Sequence, residues 1–114
     1  RYRIVPLLVE AGQLDDAEAM HRRHAEDSAT YLWNQTLIAY ARGGAKEAKR
    51  HLFEAVAANP HVIETVTAKY LPMEELPERY EPGSLEEAVI YAVQSYSAWR
   101  AIKGATAWLK RQTR

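Results

Sequence analysis

Four histidines and three carboxylate pairs are the residues here whose types could do chemistry. His21 and His24 stand three apart. On a helix that spacing can bring two imidazoles to one metal ion, with Glu18 one turn back as a third ligand. The competing reading makes both histidines half-buried, hydrogen-bonded packing residues, and the sequence favours it. His51 and His61 stand alone, as structural or solvent-facing histidines do; His61 is placed to support the start of a helix. Asp15/Asp16, Glu74/Glu75 and Glu86/Glu87 could serve as acid–base pairs. Each falls at or near an expected helix start, where the helix dipole stabilises negative charge, and that role accounts for them. Ser84 has no relay after it. Gly43-Gly44 is no phosphate cradle, because no strand leads into it and no Lys-Ser/Thr pair follows. The residues therefore predict a protein that is not an enzyme, with no metal and no cofactor.

Composition narrows the classes further. The chain has 114 residues, 47% apolar and 26% charged, enough for one domain with a modest core. Fifteen basic residues balance fifteen acidic ones, so no net field draws in nucleic acid or an anionic membrane. The basic residues near the end, Arg100, Lys103, Lys110, Arg111 and Arg114, are dispersed and suit helix C-termini. Zero net charge also leaves little colloidal repulsion against self-association. Cysteine is absent, which excludes disulfides and thiol chemistry and accords with a cytoplasmic protein. No apolar run approaches the roughly 20 residues of a spanning helix. The chain opens without Met, in what reads as mid-helix. This predicts a piece of a longer protein whose Arg1–Glu10 packs on something upstream.

Apolar periodicity predicts the elements that position these residues. Tyr2–Ala11 reads as a helix ended by Gly12, and Leu14–Glu26 as a second with Asp15 and Asp16 in its first turn. Asp27 or Ser28 caps a third, Ala29–Ala41, with Tyr31, Trp33, Leu37, Ile38 and Tyr40 on its apolar face. Gly43-Gly44 breaks it. Ala45–Ala58 follows, with Ala48, Leu52, Phe53, Ala55 and Val56 inward. Asn59-Pro60 reads as a cap followed by proline at the first position of a helix over His61–Tyr70. Pro72, Pro77 and Pro82 make a bent connector with a short helical turn at Met73–Leu76. Ser84 and Glu87 form a capping box that opens the strongest helix, with Leu85, Ala88, Val89, Ala92, Val93, Tyr96 and Trp99 in one stripe. Gly104 ends it near Ile102, and Ala105–Gln112 is a last short helix carrying Trp108 and Leu109.

The first two hairpins echo each other. Gly12 and Gly43 are 31 residues apart, and so are Ala17 and Ala48. Gly43, Ala48, Leu52, Ala55 and Pro60 fall in the register of a tetratricopeptide repeat, with Trp33 and Tyr40 one residue out of step. Gly12, Leu14 and Ala17 follow the same register, while His21 and His24 occupy the next core slots and depart from it. The chain thus resembles the tetratricopeptide-repeat proteins. The resemblance implies an all-α fold of antiparallel helical hairpins in a right-handed superhelix. Residues 1–60 would form two hairpins, the first degenerate, and residues 61–114 a helical cap within one domain.

A narrower likeness covers about half the chain. Asn59–Val62, Glu87–Ala92, Trp99, Gly104-Ala105 and Trp108-Leu109 resemble the tail of the suppression-of-tumorigenicity-seven family and related bacterial tetratricopeptide proteins. Val62-Ile63 lacks the proline often found there. No catalytic residues come with that motif.

Three tryptophans and seven tyrosines serve packing first and a ligand groove second. In tetratricopeptide arrays the first helix of each pair lines the groove. That places Asn34, Ile38 and Arg42 as partner-binding candidates, Asn34 toward a peptide backbone and Arg42 toward a carboxylate. The expected role is a non-enzymatic protein–protein interaction or scaffolding module binding a protein or peptide. The alternatives are an accessory domain docking on another domain of its own chain, and a homodimer built through exposed aromatics.

Overall fold

A computed structural model describes residues 4–23, 25, 28–71, 76 and 78–113. They form α1 (Ile4–Glu10), α2 (Leu14–Arg23), α3 (Ala29–Ala58), α4 (Val62–Val66), α5 (Leu85–Ala101) and α6 (Ala105–Arg111), with no strand among them. The all-α expectation holds. Tyr2, His24, Asp27 and the Met73–Glu75 part of the expected connector turn lie outside the described residues.

Local chemistry sets most boundaries. Pro6 lies in the first turn of α1, where backbone N–H groups have no helical partner in any case. The helix ends in a Schellman arrangement: Gly12 N–H donates to the Val9 carbonyl at 3.0 Å and Gln13 N–H to that of Leu8 at 2.9 Å, with Gly12 at φ 78°. Ser28 starts α3, its Oγ accepting from Tyr31 N–H at 3.2 Å. α3 breaks where the two glycines stand, and Gly44 makes the break at φ 75°, ψ −159°, a conformation open to glycine. Two arms result, 29–43 and 45–58. The left-handed turn glycines are therefore Gly12 and Gly44 rather than Gly12 and Gly43.

One core draws on all six helices. α1 packs on α2, α2 on the first arm of α3, and α5 along both α1 and α4, while α6 closes against α3, α4 and α5. Trp33 of α3 meets Trp99 of α5 edge to face, centroids 6.5 Å apart, and Tyr40 meets Trp108 at 5.3 Å. Such an arrangement joins the C-terminal helices to the first arm of α3.

Three expectations are corrected. Phe53 does not face inward; it is 84% exposed. At 100° per residue it lies about 160° round the helix from buried Ala55. On α5 the buried stripe is Ala88, Tyr91, Ala92, Ser95, Ala98 and Trp99, while Leu85 is exposed and Val89, Val93 and Tyr96 are half-buried. Small side chains there let α1 and α4 approach, and Ser95 meets its polar need by donating to the Tyr91 carbonyl at 2.8 Å. α4 stops at Val66 instead of reaching Tyr70. Arg100 takes over its last carbonyls, donating to Val66 at 2.8 Å and Ala68 at 3.0 Å, and Tyr96 Oη donates to Ala68 at 3.1 Å.

The connection from α3 into α5 rests on buried Asn59. Its Oδ1 accepts from His61 N–H at 2.9 Å, and its Nδ2 donates at 2.9 Å to both the Ser84 carbonyl and Glu87 Oε1. Trp33 Nε1 donates to the Asn59 carbonyl at 3.3 Å. Ser84 Oγ caps α5 by accepting from Glu87 N–H, as expected. The buried Glu87 carboxylate turns to Asn59 and Gly83 N–H instead of the Ser84 N–H that a capping box would use.

Candidate binding groove

Hairpin geometry creates a groove with the first arm of α3 as floor and α2 and the second arm as walls. α2 runs antiparallel to that floor, since His21 meets Tyr31 and Glu18 meets Arg42; the second arm does likewise, since Gln35 meets His51. The groove has a volume of about 320 Å3. Its floor is the stripe Tyr31, Gln35, Ile38 and Arg42, spaced i, i+4, i+7 and i+11.

The centre of the groove is polar. His21 stacks on Tyr31 with ring centroids 3.8 Å apart and planes 7° from parallel. The ring is 8% exposed, and its Nε2 is buried without a hydrogen-bond partner. Burial lowers its pKa from 6.5 to about 4; the Gln35 side chain and Glu18 oppose the shift and His51 adds to it. His21 is therefore neutral at pH 7. Gln35 Nε2 lies 2.7 Å from His51 Nδ1.

Charges at the rim cancel. Arg42 Nε donates to Glu18 Oε1 at 2.9 Å, and the guanidinium also pairs with Asp15. Those two carboxylates raise the Arg42 pKa further. Glu18 lies 3.8 Å from Arg22, and Glu47 3.9 Å from Arg50. Arg42 is thus already engaged by acids of its own chain, and the groove carries no free charge of one sign at its floor.

Of the three sequence candidates, Ile38 and Arg42 line this groove. Asn34 does not: it is 2% exposed, with Oδ1 buried and unpartnered. Its neighbour Gln35 occupies the lining position. Tyr31, Gln35, His21 and His51 were not among the sequence candidates; the signal available was the i, i+4, i+7, i+11 series ending on Arg42. His21 and Glu18 both line the groove. Among the described residues no three His, Asp or Glu side chains are grouped to hold a metal ion, and His24 lies outside them. No described helix is long and apolar enough to cross a membrane.

Fold and groove together define an all-helical protein with a polar, hydrogen-bonding channel across three antiparallel helical segments. Compared with known proteins, the chain matches no family model, no curated protein and no solved structure.

Proposed function

We propose that this chain is a non-enzymatic protein-interaction module of tetratricopeptide type, and that the groove over Tyr31, Gln35, Ile38 and Arg42 takes an extended peptide. The observation that carries the reading is the composition of the groove centre. The Gln35 amide and the His51 ring offer hydrogen-bonding atoms beside the buried, neutral His21, flanked by the Tyr31 ring and Ile38. An extended peptide presents main-chain amides and carbonyls that match such a surface. Because Arg42 is held by Asp15 and Glu18, the peptide needs no acidic anchor there. The repeat reading is supported by the two hairpins and by Ala17 and Ala48, both fully buried at the small-residue position 31 apart. Docking on another domain of the same protein is a second reading. It is favoured by Ile4 and Leu7, both exposed on α1.

Selection from a displayed random-peptide library tests the proposal. Selected peptides should bind the chain and lose affinity about tenfold or more on Gln35→Ala, with helicity unchanged. Peptides that bind Gln35→Ala as well as the native chain would refute it.

A further inference from the structure

A second surface, independent of the groove, carries its own chemistry. Phe53 stands on the outer face of the second arm of α3 with Lys46, Lys49 and Arg50 at i−7, i−4 and i−3, so the four side chains share one stripe. Arg50 lies 3.9 Å from Glu47, and Glu54 flanks the stripe. Among the described residues nothing pairs with Lys46 or Lys49. An exposed aromatic ring amid cations is a knob without a socket in its own fold.

The socket is on the same chain. Between α4 and α5 a groove of about 360 Å3 is lined by Glu64, Thr65, Ala68, Tyr70 and Leu85. Tyr70 and Leu85 are themselves exposed, and Glu81 and Glu86 stand at the neighbouring start of α5. The cations on that side are Arg79, Lys69 and Arg100; Lys69 is turned over the Tyr70 ring at 5.6 Å, and Arg100 is held on the Val66 and Ala68 carbonyls. A Cβ on Gly83 would lie 3.2 Å from the Ala58 carbonyl, so the loop before α5 abuts the last turn of α3. Phe53 is five residues earlier, about 7.5 Å of helical rise.

We infer that a second copy of this chain is the occupant: Phe53 of each copy seats in the α4–α5 groove of the other, with Lys46 and Lys49 facing Glu86. Complementary patches on one chain permit a reciprocal two-fold contact, which closes on itself and does not propagate. A net charge of zero imposes no long-range repulsion on the pairing.

Light scattering at about 5 µM and about 500 µM tests this. The native chain should rise from the mass of one copy toward two. Phe53→Ala is a surface change that leaves the helix intact; it should weaken association at least about tenfold with an unchanged circular dichroism spectrum. Lys49→Glu and Glu86→Lys should each weaken association. Their equimolar mixture should restore it, because each mixed pair regains one native and one swapped contact. Three results would each overturn the inference: a native chain of single mass at about 500 µM, Phe53→Ala associating like the native chain, or a mixture associating no better than either variant.

Discussion

Asn59→Ala should be among the most damaging single changes in the molecule. Asn59 is fully buried, and the substitution removes three side-chain hydrogen bonds: one received from His61 N–H, and two given to the Ser84 carbonyl and Glu87 Oε1. A neutral bond contributes about 0.5–1.5 kcal/mol and one to a charged group about 1.5–3 kcal/mol. The partners left behind deepen the loss. Glu87 keeps the Gly83 N–H, but its carboxylate stays buried with one donor fewer. The sum is about 3–5 kcal/mol, a large share of the 5–15 kcal/mol typical of a domain. In urea unfolding followed by circular dichroism, the midpoint should fall with little change in slope. The melting temperature should drop by about 15–25 °C. Asn59→Asp separates the two roles: it keeps the acceptor for His61 N–H but sets a carboxylate against Glu87, so its deficit should shrink as the solution is acidified. A loss below about 1 kcal/mol for Asn59→Ala, or an Asn59→Asp deficit that does not depend on pH, would refute the assignment of Asn59 as the link between α3 and α5.

Two further changes probe other parts of the account. His21 has a folded pKa of about 4 against an ordinary 6.5, so the unfolded chain takes up the proton first. Its stability contribution is full above pH 6.5 and is lost as pH falls toward 4, at most about 3 kcal/mol; His21→Phe should flatten that part of the stability–pH curve measured by urea titration. Gly44→Ala places a Cβ at φ 75°, ψ −159° and should cost about 1–3 kcal/mol, read as a lower unfolding midpoint, whereas alanine at the helical Gly43 should not meet that backbone penalty.

Features governed by near neighbours could be read from the sequence. Ser28 and Ser84 act on amides three residues away, α1 ends at Gly12 through bonds from the Gly12 and Gln13 N–H groups to the Val9 and Leu8 carbonyls, and the paired glycines split α3. What distant segments decide could not. Glu87 looks like the carboxylate of a capping box, yet it serves Asn59, 28 residues earlier. Phe53 passes as a core residue because its spacing from Val56 is helical, but only the packed helices reveal which face of the second arm is covered. Asn34 and Gln35 differ by one residue in register. Choosing between them required knowing where α2 and the second arm flank the first, which is set by contacts such as Arg42 with Glu18 and Gln35 with His51. The early halt of α4 likewise depends on Arg100, 34 residues beyond Val66.

The central claim is that the floor stripe of the first α3 arm receives a peptide. Its most direct test is nuclear magnetic resonance of the isotopically labelled chain titrated with a library-selected peptide. The account predicts that the largest shifts fall on Tyr31, the Gln35 side-chain amide, Ile38 and the rings of His21 and His51. Shifts centred instead on α4 and α5, with the Gln35 amide unmoved, would contradict it.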